Sequence, residues 1–225
     1  MTADTRAATP LLRLVLQHNL HPEATLHASW LPSSWPVRHR ATLRRLQPGA
    51  RSVLADVLRR HGVLAPEPDY HFDSRRKRLL LLDPGALRRL AFYASLCAHA
   101  PLLRLPRRDP VGKQLRRQAR RYDADAVEFV LERAPRLSEI QMSSQALHER
   151  PWSCGRVLVE RGARLLLALG ASESEATLER LRRKLPRRFS ALGVPQLAPR
   201  QIVQLDELML SCIVPERLAT WDWLF

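Results

Sequence analysis

Three groups of residues have types and spacings that could do chemistry. His18 and His21 form an HxxH pair, followed by His27 and His39, a spacing that zinc accepts. The pair adjoins Pro22, no cysteine is near, and Glu23 is the only adjacent carboxylate, so surface or packed histidines are the simpler reading. Cys154 stands between Trp152 and Gly155 at the start of a helical run, where a helix N-terminus lowers a thiol pKa. No convincing partner is near it, since His148 lies before Pro151. Glu67, Asp69 and Asp73 surround Tyr70 and Phe72, and paired carboxylates beside aromatics can run acid–base chemistry. On a proline-rich connector they read more simply as a solvated acidic loop. The Walker A, GxGxxG, GxSxG and HExxH patterns are absent. The expectation is a protein that is not an enzyme, with no catalytic residue, no metal site and no cofactor.

Charge is the stronger signal. The formal net charge is +15, and Lys77, Lys113 and Lys184 are the only lysines among the basic residues. Such a balance favours polyanions, acidic proteins or an anionic membrane face, although a GC-rich genome also enriches arginine. The segment from Arg104 to Arg121 holds eight basic residues and one acid, Asp109. Arg116, Arg117, Arg120 and Arg121 fall on one side of a helix there and are candidates for a partner interface. Arg75–Arg78, RRKR, and the run from Arg180 to Arg188 are further basic patches.

The elements that must carry these residues are helical. Glycine is sparse, 17 prolines punctuate the chain, and alternating Val, Ile and Thr runs are nearly absent. The fold class expected is mostly α: a single compact helical domain over 11–225, with a flexible tail at 1–10 and a possible sub-boundary near 104–110. Its centre is a buried helix near residues 84–100. Asp83 is its N-cap, Pro84 sits in the first turn, and Pro101 makes continuation costly. Leu87, Leu90, Ala91, Ala94 and Ala98 keep helical spacing, and Phe92, Tyr93, Leu96 and Cys97 fill the rest of the circumference.

Asp109 and Pro110 start another helix, expected to run until Pro135. Over that length it would be basic first and acidic later, with Asp123, Asp125, Glu128 and Glu132, an order that opposes the helix dipole. Charges so placed would answer to a partner and not to helix stability. Ser172 with Glu175 reads as a capping box. Leu11–Leu16 reads as a short strand or helix, and Arg38–Leu46 as a basic helical turn. Trp30 and Trp35, between prolines, read as anchors of a packed turn or as a partner-docking surface. The terminal Trp221, Trp223, Leu224 and Phe225 must dock on the core or on a partner. Cys97, Cys154 and Cys212 are odd in number and widely spaced, which fits a reducing cytosol. No targeting or membrane-spanning segment is evident.

Two stretches carry a resemblance. His27-Ala28-Ser29-Trp30-Leu31-Pro32 with Trp35 is one, and LLLLDPGALRRLAFYASLCAHAPLLR, residues 79 to 104, is the other. With the overall helical layout, they resemble the SctK (YscK-like) family of bacterial type III secretion systems. Where some members carry an FCPA-like element, this chain has Leu14-Val15-Leu16-Gln17-His18. The resemblance covers about a third of the chain. It implies a cytosolic sorting-platform adaptor linking the inner-membrane ring protein SctD to the SctQ pods, held at the inner membrane through proteins. It implies no small-molecule substrate. The alternative from another class is a basic helical nucleic-acid-binding protein. The scarcity of aromatics and of Asn or Gln among the arginines counts against specific nucleic-acid recognition.

Overall fold

The computed structural model describes residues 5–33, 35, 48–64, 67–106, 108–140, 142–191 and 193–225. The basic turn expected over Arg38–Leu46, with His39, lies outside the described residues. All regular structure among the described residues is helical. The helices are α1 (Thr5–Leu20), α2 (Pro48–Arg60), α3 (Arg75–Arg78), α4 (Pro84–Ala98), α5 (Ala100–Leu103) and α6 (Pro110–Tyr122). There follow α7 (Ala126–Glu128), α8 (Gln145–Glu149), α9 (Cys154–Ala171), α10 (Glu175–Lys184), α11 (Pro199–Asp206) and α12 (Val214–Arg217). Wider π-type turns, Phe129–Arg133 and Glu207–Ile213, continue α7 and α11. None of the described helices is long and apolar enough to cross a membrane. Helix α1 takes in residues 5–10, where a flexible tail is expected from the sequence.

Helix α4 forms for the reasons legible in its sequence. The Asp83 carboxylate accepts from the Gly85 and Ala86 amides at 2.6 and 2.9 Å, Pro84 sits in the first turn, and His99 is the C-cap. From Leu90 to Cys97 every residue is buried. Its main neighbour is α9. The two backbones touch at Gly162, where an added Cβ would lie 1.9 Å from the Ala91 carbonyl oxygen. Helix α10 closes against α9 where Gly170 meets Leu181. Its N-cap is Ser174, which accepts from the Thr177 amide, and not the expected Ser172.

The helix beginning at Pro110 also differs from expectation. It ends at Tyr122, because Asp123 turns extended, with φ −156° and ψ 132°. The break lets two carboxylates reach the core. Asp123 accepts from Arg89 and from the Tyr93 hydroxyl at 2.7 Å. Asp125 accepts from both nitrogens of the Arg217 fork, at 2.8 and 2.9 Å, and from Arg133 at 3.0 Å. The Arg217 guanidinium lies over the Phe129 ring, 4.3 Å from its centroid, so it is paired and stacked at once.

Beside this main core a second, smaller apolar cluster gathers Leu31, Leu54, Ala55, Leu58 and Leu64. Helix α2 ends at Gly62, whose φ of 66° is the left-handed conformation that favours glycine. The connector before α2 is tied to the end of α10. The His27 amide donates to the Arg183 carbonyl at 2.9 Å and the Arg187 amide to the Ser29 hydroxyl oxygen at 2.7 Å. At the other end of the chain, Leu224 is buried and its carbonyl accepts from Arg78 at 3.0 Å, so the aromatic terminus docks on its own core.

Candidate functional site

The basic residues separate into those the fold uses and those it leaves unused. The RRKR run is fully used. Arg75 donates to the Leu210 carbonyl at 3.2 Å, Arg76 pairs with Asp206 at 2.8 Å, Lys77 with Asp69 at 2.8 Å, and Arg78 donates to the Phe72 carbonyl at 2.8 Å. These four staple α3 to the C-terminal helices and to the connector before it. The acidic loop expected near Tyr70 is part of the same web, since Asp69 also faces Arg180 at 3.5 Å. Its carboxyl is therefore held below the usual range by Lys77 and Arg180 against the opposing effect of burial.

The second basic patch is partly used as well. Arg180 donates to the Glu67 carbonyl, Arg182 pairs with Glu179, and Arg187 and Arg188 lie over Trp30 and Phe189. Lys184, a member of this basic run, is only 4 % exposed.

A clustered group of unpaired cations lies on the outer face of α6. Lys113, Arg117, Arg120 and Arg121 are exposed, and the ion pairs of the described residues all lie elsewhere. Helix α6 is positioned by Asp109, which accepts from the Gly112 amide at 2.7 Å, and by buried Val111, Leu115 and Ala119 on its inner face. Near the backbone of α5 the approach at Gly112 is close, with the Leu102 carbonyl oxygen 2.9 Å from where a Cβ would stand. The cations line an open depression of about 870 Å³ together with Leu103 and Leu105.

Arg116 belongs to this group in sequence but not in role. It is half-buried and donates to the carbonyls of Leu103 at 2.9 Å, Leu105 at 3.0 Å and Pro106 at 3.3 Å. It satisfies carbonyls left open at the end of α5. The early end of α6 also removes the expected conflict with the dipole. Arg120 and Arg121 sit in its last turn, where cations are favoured. The unusual feature is instead the spacing of like charges. Lys113 and Arg117, and Arg117 and Arg121, stand four apart on one exposed face and repel.

The two tryptophans proposed for an interface serve internal packing. Trp30 is half-buried and its indole N–H donates to the Leu185 carbonyl at 2.9 Å. Trp35 is half-buried and packs against the second cluster. The more exposed indoles are Trp152 and Trp223.

The residues considered for catalysis or metal binding are placed apart. Among the described residues no group of three or more His, Cys, Asp or Glu side chains could hold a metal ion. Cys154 is buried, and burial pushes its thiol up to about 11, which leaves the nucleophilic thiolate scarce at neutral pH. His18 packs edge-on against Phe72, and burial with the charges of Lys184 and Arg180 lowers it to about 3. His99 donates from Nδ1 to the Ser95 carbonyl at 2.7 Å and takes a hydrogen bond from Arg161 on Nε2. Burial lowers it to about 4, with Arg161 adding to the effect.

Both imidazoles are thus neutral when folded and charge only on unfolding. Their contribution is complete above pH 6.5 and is lost as pH falls towards 4. Each loses about 2 kcal/mol between pH 6.5 and 5. The urea midpoint should therefore fall in that window, above the range where carboxylates titrate. A midpoint constant from pH 6.5 to 5 would show that the two rings titrate normally.

Sequence spacing identified Arg117, Arg120 and Arg121 but missed the partners that lie far away along the chain, such as Asp206 for Arg76 and Asp125 for Arg217. The burial of Lys184 and of His18 was also missed; a lysine one residue before Leu-Pro gives no local sign of its burial. No family model, curated protein or solved structure matches the chain.

Proposed function

We propose that the chain is a non-enzymatic adaptor of a bacterial type III secretion system. In this reading it works in the cytosol and links the cytoplasmic domain of the ring protein SctD to the SctQ pods. The resemblance in residues 27–35 and 79–104 supplies the family. The observation that carries the reading is the row of exposed, uncompensated cations Lys113, Arg117, Arg120 and Arg121 on α6. Like charges four apart on one helix face cost a few tenths of a kcal/mol per pair, so the row is unfavourable until an acidic surface covers it. An acidic protein docked there would be steered by charge and released by salt.

The test is a titration of the full chain with purified SctQ and with the cytosolic domain of SctD, at two salt concentrations. The triple variant Arg117→Glu, Arg120→Glu, Arg121→Glu should keep the circular-dichroism spectrum and lose at least about tenfold in affinity for one of them, about 1.4 kcal/mol. Unchanged binding of both partners by the triple variant would overturn the assignment of this face. Tight binding of duplex DNA at physiological salt, with neither protein captured, would favour the nucleic-acid reading instead.

A further inference from the structure

A second feature lies away from α6 and is built differently. A cavity of about 320 Å³ forms where the end of α1, the connector near Leu26, the end of α2, the loop at Pro68 and Tyr70, and the last turn of α10 meet. Its apolar lining includes Leu20, Pro22, Leu26 and Leu64. Its ionisable lining is mostly basic: His18, Arg59, Arg180, Arg183 and Lys184 face a single carboxylate, Glu67. Two of these cations are already committed, Arg59 to Asp56 at 2.7 Å and Arg180 to the Glu67 carbonyl at 2.8 Å.

Lys184 and His18 are not fully committed. The Lys184 Nζ donates one hydrogen bond, to the Leu82 carbonyl at 2.9 Å, and an ammonium has three N–H bonds. The residue is 4 % exposed. His18 is 8 % exposed, and its buried Nδ1 has no hydrogen-bond partner. The two are near enough for the charge of Lys184 to act on the imidazole. Buried polar groups are nearly always satisfied, and leaving them unpaired costs free energy. Two such groups beside one cavity call for a common acceptor, and a carboxylate accepts from both.

We propose that this cavity binds an organic monoanion, a carboxylate on a short apolar body, with its head on Lys184 and His18 and its body against Leu20, Leu26 and Leu64. Apolar walls with a few convergent polar groups are the usual make-up of a small-ligand site, and this volume is at the low end of their range. Inorganic phosphate would match the charge and leave the apolar wall unused. An alcohol of the same length would fill the wall and leave the ammonium unpaired. The proposal does not depend on the adaptor reading, because no α6 residue lines the cavity.

The test is calorimetric titration of the full chain with sodium octanoate, with octan-1-ol and inorganic phosphate as contrasts. Octanoate should bind saturably, and each contrast at least about tenfold more weakly. The Lys184→Met variant should stay folded, since it removes a buried charge, and should bind octanoate at least about tenfold more weakly. A second readout needs no variant. Burial lowers the Lys184 ammonium to about 7 in the free protein. At pH 8 it is largely neutral, and an arriving carboxylate should draw a proton onto it. Titrations in HEPES and in Tris, which differ in ionisation heat, should then show uptake of close to one proton per octanoate. The Arg117, Arg120, Arg121 triple variant should bind octanoate normally. Any of three results would overturn the proposal: no saturable octanoate binding, equal binding of octanol or phosphate, or unchanged binding by a folded Lys184→Met variant without proton uptake in the parent.

Discussion

Replacing Gly162 by alanine should destabilise the protein by about 3 kcal/mol, at the upper end for inserting one carbon into a packed core. Helix propensity alone predicts the opposite, since alanine is better than glycine inside a helix by about 1 kcal/mol. The sign is reversed by the neighbour. A Cβ at Gly162 would stand 1.9 Å from the Ala91 carbonyl oxygen, which belongs to the backbone of α4 and cannot swing aside as a side chain can. Helices α4 and α9 must separate, and the leucines packed between them lose contact. For a chain of this size the thermal midpoint should fall by about 10 °C. Gly49→Ala is the control, because it makes the same change in α2 with nothing within 4 Å and should not lower the midpoint. A Gly162→Ala protein as stable as the parent would mean that the two helices do not touch backbone to backbone.

Replacing Arg217 by methionine should have the next largest effect, a fall in thermal midpoint of about 5 °C. Methionine keeps much of the apolar volume, so the loss is chiefly electrostatic. The Arg217 side chain is 8 % exposed; it reaches both oxygens of Asp125 and lies 3.7 Å from Asp123. Its plane also covers Phe129 and faces Tyr93, 5.3 Å from the ring centroid. Removing it leaves Asp123 to Arg89 and the Tyr93 hydroxyl, and Asp125 to Arg133 alone. Arg217→Lys should recover less than half of the loss, because an ammonium can neither fork to two oxygens nor stack on a ring. The hydrogen bonds from Arg217, with help from Arg133, hold the Asp125 carboxyl down at about 2. Its stabilising contact is therefore complete above the ordinary aspartate range and is lost as pH falls through 2. The Arg217→Met protein should lack that part of the acid transition. Full recovery by lysine would show that a bare positive charge is enough.

The sequence by itself determined the helical class, the starts of two helices and the centre of the core. Asp83-Pro84 and Asp109-Pro110 start helices as their chemistry requires, Gly62 ends one, and Leu90 to Cys97 is buried on all sides. These signals act within one or two turns of chain, so they can be read locally. The end of α6 could not be read in this way. The apolar spacing Leu115, Ala119, Tyr122, Ala126, Phe129 continues through the break and all but the exposed Tyr122 are buried, yet the helix stops at Tyr122. The chain turns there because Asp123 and Asp125 find Arg89, Tyr93, Arg133 and Arg217 from other parts of the molecule.

The candidate face was legible only in part: Arg117, Arg120 and Arg121 stand out in the sequence, whereas Lys113 does not and Arg116 serves the end of α5. The cations of α6 were recognised by composition, but their conflict with the dipole depended on a helix that does not extend so far. Only the tertiary structure decided which positive charges are free. Arg76 and Asp206, or Arg78 and Leu224, meet across more than half of the chain. An ion pair depends on distance in space, and a sequence states only distance along the chain. The same reason hid Gly162, the buried Lys184 and the cavity beside it. Local signals set where the main helices start, and the packing of one helix on another then decided where α6 ends and which polar groups would be left without a partner.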